Sequence, residues 1–337
     1  MWLTNSSIGR KLVMSITGAC LILFVTFHVL MNAVAIFWPA AYNAICGFLG
    51  ANWYALIASA GLAALFIIHI IYAVWLTLQN RKARGNDRYK VVSKPPQVEW
   101  SSQNMLVLGI VILAFLAVHM IQFWAKMQLQ EIRGCEGVIP PAMGTLFIQE
   151  AFSCIATPII YIIGFIALWF HLNHGVWSMF QSIGWDNNNW LPRLKKVATW
   201  WTSIVVVLFL AQAIVFTCLA SSNYYKNDPT LRAQYKESIG KQVGIPADQF
   251  SFENLPSEQQ IMQAENQISM LESDANMASQ YGATPEMLKQ QRKMINGYRQ
   301  AIKFVEYLNG NDTKAEEPAV VTEQVEETQA TETQPAN

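Results

Sequence analysis

AFSCIATPIIYIIGFIALWFHLNHGVWSMF, residues 151–180, is a long apolar stretch that carries two histidines near its end. A helix needs roughly 20 apolar residues to cross a hydrocarbon core of ~30 Å. Four other stretches of the 337-residue chain meet this requirement, at about 12–38, 53–79, 104–127 and 198–220. The sequence therefore predicts an all-α protein built on a five-helix transmembrane bundle.

All five histidines lie in or at the end of these stretches: His28, His69, His119, His171 and His174. An imidazole in hydrocarbon is costly unless something binds it, so intramembrane histidines indicate function. One histidine on each of four successive helices is the arrangement expected when helix pairs hold a planar metal cofactor, which here would be haem. The alternative is that each histidine is a packing residue hydrogen-bonded to a neighbouring helix.

The depth of each histidine follows from counting residues, because a helix rises 1.5 Å per residue. Counting from the basic inner ends and the polar outer ends puts His28 and His119 in the outer half of the membrane. The same count puts His69 and His171 in the inner half. We therefore expect two bis-histidine b haems, one in each layer, with His28 and His119 on one iron and His69 and His171 on the other.

The charges between the spans are unevenly distributed, although the formal net charge of the whole chain is zero. The N-terminal tail and the loops 80–103 and 181–197 carry the basic residues: Arg10, Lys11, Arg81, Lys82, Arg84, Arg88, Lys90, Lys94, Arg193, Lys195 and Lys196. The only basic residue in the loops 39–52 and 128–150 is Arg133, and Lys126 lies at the end of the preceding helix. The positive-inside rule then predicts a cytoplasmic N-terminus, and five crossings put the C-terminus outside.

The five cysteines show no Cys-x-x-Cys spacing, which argues against an iron–sulfur or zinc site within the chain. Cys46 and Cys135 both fall in predicted outer loops, where a disulfide is one interpretation. The other interpretation is that both are small apolar fillers near the interface.

Residues 170–178, Phe-His-Leu-Asn-His-Gly-Val-Trp-Ser, resemble the fourth-helix motif Phe-His-x-x-x-Gly-x-Trp-Ser of a known family. The family is the cytochrome b membrane anchor of succinate dehydrogenases and fumarate reductases (succinate:quinone oxidoreductases), in its five-helix, two-haem type. Other matching features are a histidine with Asn four residues later, a histidine with Tyr close behind, and Ala-Val-His-Met-Ile-Gln. These are His28 with Asn32, His69 with Tyr72, and residues 117–122, and the resemblance covers about 1–220.

The resemblance implies the same ligand pairs: His69 and His171 for the haem nearer the cytoplasm, and His28 and His119 for the distal haem. It also favours His171 over His174 as the ligand, because the first histidine of the motif has that role. His174 is then a polar interface residue, or a contact to a haem propionate or a quinone. Gly175 fits either a close approach to the porphyrin or plain helix packing.

The resemblance also implies partners and a location. An FAD-containing flavoprotein subunit and an iron–sulfur subunit would dock on the inner face and exchange electrons with menaquinone or a similar quinone in a bacterial cytoplasmic (inner) membrane. The chain itself is not expected to act on dicarboxylates, and we expect no nucleic-acid partner. The basic inner loops would form the docking surface, or serve only as topology determinants.

The entry of the first helix resembles the serine and basic entry of this family. Ser7, Arg10 and Lys11 are therefore candidate cofactor-binding residues, for a quinone or for a haem propionate. Contact with lipid headgroups is the simpler alternative. Two other functions remain open for the chain: a haem b anchor of another respiratory enzyme, and a non-redox membrane scaffold with structural histidines.

Residues 221–337 extend beyond this resemblance and are polar. Thr284-Pro285 predicts a helix start and Asn309-Gly310 a helix end. Apolar residues at helical spacing precede and follow Gly282 and predict a helical hairpin. We thus expect a transmembrane dihaem domain at 1–220, a polar helical extension at 221–310, and a disordered acidic tail at 311–337.

Overall fold

The computed structural model describes residues 6–84, 99–133, 137–244 and 250–310. These residues are overwhelmingly helical and include no strand, which confirms the predicted all-α class. The predicted tail at 311–337 and most of the basic loop, with Arg88, Lys90 and Lys94, lie outside the described residues.

Five helices are long and apolar enough to cross a membrane, as the sequence predicts. They are α1 (Ser7–Phe37), α3 (Trp53–Arg84), α5 (Met105–His119, continued as a π-helix over Met120–Trp124), α8 (Ala156–Gln181) and α9 (Leu191–Ser221). A short helix, α4 (Trp100–Gln103), precedes α5. The protein is therefore compatible with a multi-pass membrane location.

Two connections predicted as outer loops contain helices instead. They are α2 (Pro39–Ala51) in the first connection, and α6 (Gln128–Arg133) and α7 (Gly144–Phe152) in the second. Pro39 starts α2, a position where its missing N–H costs nothing. Helices α2 and α7 bury apolar side chains, whereas α6 has no buried residue.

The fourth span begins at Ala156 rather than at 151, because the apolar stretch is interrupted at 153–155. Pro158 lies in the first turn of α8, where a proline is tolerated. In a continuous helix from α7 the same proline would stand in the interior, remove one hydrogen bond and clash with the preceding turn. The proline thus separates α7 from α8.

The centre of the bundle is formed by α8 and α9, which pack against each other and carry most of its buried residues. Helix α1 packs on both of them, α5 packs on α8, and α3 packs mainly on α1. No described side chain of α3 is buried within the chain. Helix α3 therefore lies at the edge of the bundle, with His69 facing inward toward α1 and α8.

The C-terminal extension contains more helices than the two predicted. They are α10 (Tyr224–Asn227), α11 (Pro229–Val243), α12 (Glu258–Ser273), α13 (Ala275–Gln280) and α14 (Pro285–Asn309). Helix α14 is capped as predicted, with the Thr284 side chain accepting from the Met287 N–H and Gly310 in the left-handed conformation. The first helix of the predicted hairpin is divided at Asp274, so its final part forms the separate helix α13.

Helices α12 and α14 pack side by side in opposite directions. Two ion pairs, Glu272 with Arg292 and Glu265 with Arg299, join them. Four of their buried apolar residues form one small cluster: Ile261, Ile268, Leu288 and Ile295.

The extension contacts the end of the bundle that carries α2 and α7 through a buried polar network. The Thr145 hydroxyl lies 2.9 Å from the Tyr235 hydroxyl, and the Thr145 N–H donates to Asn43 Oδ1 at 2.9 Å. All three side chains are at most 1% exposed. The Asn43 amide donates in turn to Gln234 at 3.0 Å. This network connects α2, α7 and α11, so the extension and the bundle share one core.

Cys46 is a free thiol that lies beside Tyr42 and close to Gly144. Burial raises the pKa of this thiol to about 11, although hydrogen bonds oppose the shift. A buried thiol of high pKa is unreactive. The proposed partner, Cys135, lies outside the described residues.

Gly164 in α8 lets α5 approach closely, and replacing it tests this packing. A Cβ added to Gly164 would lie 2.5 Å from the Phe115 ring, so Gly164→Ala should destabilise the protein by about 1–3 kcal/mol. Gly61→Ala is the matched control, because a Cβ there meets nothing within 4 Å. The measurement is the thermal unfolding midpoint in detergent. Equal losses for both variants would contradict this account of the α5–α8 contact.

Candidate functional site

The structure brings the four spanning histidines together as two pairs. The rings of His28 and His119 have centroids 5.7 Å apart, between α1 and α5. The rings of His69 and His171 have centroids 6.5 Å apart, between α3 and α8. These are the pairs that the depth count predicts, and their role as ligands stays a prediction.

The outer pair, His28 and His119, lies among aromatic side chains. The Phe24 ring stacks on the His28 ring with their centroids 5.3 Å apart, and the centroids of the Phe123 and His119 rings are also 5.3 Å apart. The Phe209 ring of α9 lies 6.2 Å from the His28 ring, centroid to centroid. These rings exclude water from the pair and give it a low local dielectric.

A chain of hydrogen bonds leads away from His119. Its Nδ1 lies 3.1 Å from the Tyr161 hydroxyl, which donates to Gln122 Oε1 at 2.9 Å. The Gln122 amide donates to the Thr157 hydroxyl at 3.1 Å. His119, Tyr161, Gln122 and Thr157 are therefore linked in series.

The π-helix directly after His119 helps to build this chain. The Ala125 N–H donates to the Met120 carbonyl at 2.8 Å, five residues back. Such a turn holds one extra residue and changes the direction of the side chains that follow it. Gln122 lies within this turn and reaches Tyr161 on α8.

The inner pair has a different environment. His69 Nδ1 lies 3.2 Å from the Thr17 hydroxyl of α1, and Gly18 lies against the same ring. His171 Nδ1 is buried and has no hydrogen-bond partner among the residues that the structure describes. A Cβ added to Gly175, one turn further along α8, would have open space around it.

The dimensions of both pairs fit bis-imidazole ligation of an iron. A metal–imidazole bond of about 2 Å on each side places two facing ring centres about 6 Å apart. The observed separations of 5.7 Å and 6.5 Å are close to this value. Within the described ranges, no three His, Cys, Asp or Glu side chains converge as they would around a bare metal ion. A metal at either pair would therefore need its remaining ligands from a macrocycle such as haem.

The three candidate residues at the start of α1 separate into two groups. Ser7 and Lys11 are exposed, whereas Arg10 turns toward the inner end of α3. The Arg10 guanidinium lies 5.3 Å from the Trp75 ring centre, and the Gln79 side-chain oxygen accepts a hydrogen bond from it at 3.0 Å. Arg10 Nε is buried without a partner in the described part of the chain, so it has a free donor for an anionic group such as a propionate.

His174 does not join the inner pair and belongs to a polar cluster with Glu99, just before α4, and Lys195, near the start of α9. Its Nδ1 lies 3.4 Å from Glu99, and Lys195 donates to the same carboxylate at 2.6 Å. Lys195 also lies 4.3 Å above the Trp177 ring. Burial opposes ionisation of Glu99, but the bonds from Lys195 and His174 outweigh it and lower the pKa of this carboxyl.

Sequence reasoning missed Thr17, Tyr161 and Glu99. Thr17 and Tyr161 are hydroxyl residues in apolar helices, which was the available signal. The distance along the chain from each to its histidine, 52 and 42 residues, hid the contact. Glu99 stands alone as a carboxylate after a run of basic residues, which gave no hint of its partners.

Comparison with known proteins adds no relative: no family model, curated protein or solved structure matches this chain. The site must therefore be interpreted from its own residues.

The Glu99 cluster makes a prediction about pH. A carboxyl whose pKa is lowered in the folded protein stabilises it above the usual pKa near 4.5, and this contribution disappears as the pH falls through the lowered value. Glu99→Gln should therefore be less stable than wild type at pH 7 by at most about 1 kcal/mol, since Glu99 is one-third exposed. The difference in unfolding midpoint between the two proteins should shrink as the pH falls below 4.5 and vanish once the pH is below the lowered pKa of Glu99.

Glu237→Gln is the control for this measurement, because Glu237 and Lys241 form an exposed pair within one helix. Its effect at pH 7 should be smaller than that of Glu99→Gln. A Glu99→Gln difference that persists at low pH would show that the loss comes from packing and not from the charge.

Proposed function

We propose that this chain is the membrane anchor and electron-transfer subunit of a succinate:quinone oxidoreductase or quinol:fumarate reductase, with two b haems. The observation that carries the proposal is the arrangement of His28 with His119 and His69 with His171 as two neighbouring pairs on four successive spans. Each bound haem would supply a one-electron carrier. The two depths would give electrons a path in two steps through the membrane.

The chain's own residues would hold and insulate these carriers. The two imidazoles of each pair would bind the iron from opposite sides, and Arg10 would neutralise a propionate at the inner layer. The phenylalanines around His28 and His119 would exclude water and raise the cost of stray charge.

The inner face would receive the iron–sulfur and flavoprotein subunits. Arg81 and Lys82 at the end of α3, and Arg193 and Lys196 at the start of α9, are exposed there and form a basic surface. Acidic surfaces of the partners would be steered to it. The basic charge also supports a cytoplasmic position for this face and an outer position for the C-terminal extension.

Quinone, menaquinone or a similar one, would be the membrane substrate. Ser7 and Lys11 are exposed at the inner end of α1 and would lie at headgroup level, where a quinone ring enters. Their hydroxyl and ammonium groups are donors that a quinone carbonyl accepts.

One observation favours a second function, a non-redox scaffold with structural histidines. Thr17 and Tyr161 give His69 and His119 hydrogen-bond partners that need no iron. This alternative predicts that protein purified from haem-producing cells has no absorption in the visible range. The free buried Nδ1 of His171 argues against it, since a structural histidine should have its polar atoms paired.

Substitution of the two histidines of α8 tests the haem proposal. His171→Ala should remove one of the two haems, so the haem-to-protein ratio falls by half and electron delivery to quinone is impaired. His174→Ala is the matched control on the same helix and should keep both haems, because His174 binds Glu99 instead. The measurement is the reduced-minus-oxidised optical spectrum with a haem assay. Loss of haem in His174→Ala alone would reassign the ligand.

Reporter fusions test the orientation. Green fluorescent protein at the N-terminus should fluoresce, whereas a fusion at the C-terminus after the fifth span should not, because this reporter does not fold in the periplasm after export. Alkaline phosphatase should give the opposite pattern and be active only at the C-terminus. Activity of the same reporter at both ends would contradict an odd number of crossings.

A further inference from the structure

One histidine of each pair has its Nδ1 within hydrogen-bonding distance of a hydroxyl group on another helix. For His69 the hydroxyl belongs to Thr17, at 3.2 Å, and for His119 it belongs to Tyr161, at 3.1 Å. A hydroxyl can donate one hydrogen bond and accept others. Which role each hydroxyl plays toward its histidine therefore depends on where its single proton goes.

The Thr17 proton is directed into its own helix. Thr17 Oγ1 lies 2.9 Å from the Val13 carbonyl oxygen and 3.1 Å from that of Met14. Both carbonyls can only accept, so the proton points to one of them. The oxygen atom of Thr17 is then left to accept a hydrogen bond from His69.

The Tyr161 proton is directed to Gln122. The Gln122 amide nitrogen donates to the Thr157 hydroxyl at 3.1 Å, and the amide oxygen lies 2.9 Å from the Tyr161 hydroxyl. The phenol must donate to this oxygen, because an amide oxygen is only an acceptor. The oxygen of Tyr161 therefore accepts a hydrogen bond from His119 Nδ1.

We infer that Thr17 and Tyr161 are positioning residues that fix His69 and His119 in the tautomer with the proton on Nδ1. In this tautomer Nε2 keeps its lone pair and is the atom available to a metal. The inference about iron rests on the proposed function, whereas the tautomer itself does not. Each layer of the site thus has one histidine whose ring orientation and protonation are set before any cofactor binds.

The hydroxyl acceptors also have an electronic effect. An acceptor on Nδ1–H increases the basicity of Nε2, and a more basic ligand stabilises ferric iron more than ferrous iron. Removal of the acceptor should therefore raise the midpoint potential of the haem in that layer and weaken its binding by about 10–100-fold. The two layers should respond independently, because the hydroxyls lie in different layers.

Two variants that remove only the hydroxyl test the inference: Thr17→Val and Tyr161→Phe. The readout is the midpoint potential of each haem in the purified complex, followed by its optical spectrum. Thr17→Val should raise the potential of the haem that His171→Ala removes and leave the other unchanged. Tyr161→Phe should act only on the other haem, so each variant controls for the other. Thr17→Ser should restore the wild-type potential.

Thr26→Val is a matched control within α1. The Thr26 hydroxyl also donates into its own helix, to the Ile22 carbonyl at 2.8 Å, and among the described residues it has no hydrogen bond to a histidine. Its potentials should equal those of wild type. Equal shifts of both haems in Thr17→Val, or a shift in Thr26→Val as large as in Thr17→Val, would overturn the inference, since either result indicates general loosening.

Histidine labelled with ¹⁵N gives a second readout that does not depend on haem. Nitrogen chemical shifts of the reduced or cofactor-free protein should show Nδ1–H for His69 and His119, and Nε2–H for either would overturn the inference. A wild-type protein without haem would refute the proposed function but leave this tautomer test valid. A wild-type protein with two haems and unchanged potentials in both variants would refute only the inference.

Discussion

The cost of placing an imidazole in hydrocarbon is the constraint on which the rest of the structure depends. A polar group transferred there without a partner costs about 2–7 kcal/mol. His69 and His119 have hydroxyl partners on other helices, and the ring centroids of the two pairs lie 5.7 Å and 6.5 Å apart. These contacts cross from α1 to α3 and from α5 to α8. The two contacts, Thr17 with His69 and Tyr161 with His119, thus fix the depth of the spans relative to one another. Dispersion between apolar helices alone would leave that depth poorly defined.

Irregular backbone is concentrated at the level of the outer pair. The π-helix follows His119 directly, and the break that Pro158 imposes lies at the outer start of α8. An extra residue in a turn rotates the side chains after it, and this rotation brings Gln122 toward Tyr161. Regular helices would have kept the apolar packing but would not have assembled the same chain of hydrogen bonds. Local distortion of the backbone is therefore linked to the polar requirement of one histidine.

The change of composition near residue 220 does not coincide with a gap in packing. Phe216 at the end of α9 and Tyr225 in α10 belong to the same buried cluster, and Tyr235 reaches Thr145 inside it. A fully buried polar network of this kind is costly to break, because removal of one member leaves its partners unsatisfied. The extension is therefore held on the outer end of the bundle by both apolar and polar contacts.

The features that depend on one helix at a time could be predicted from the sequence. The five spans follow from length and hydropathy, the two layers of histidines follow from a fixed rise per residue, and the caps at Thr284 and Gly310 follow from local chemistry. The side chains that contact the histidines could not be predicted, because these contacts depend on how the helices pack together. Thr17, Tyr161 and Glu99 lie 42 to 75 residues along the chain from the histidines that they contact. Such contacts depend on how each helix is rotated about its axis, and that rotation is set by packing against its neighbours, which no single segment specifies.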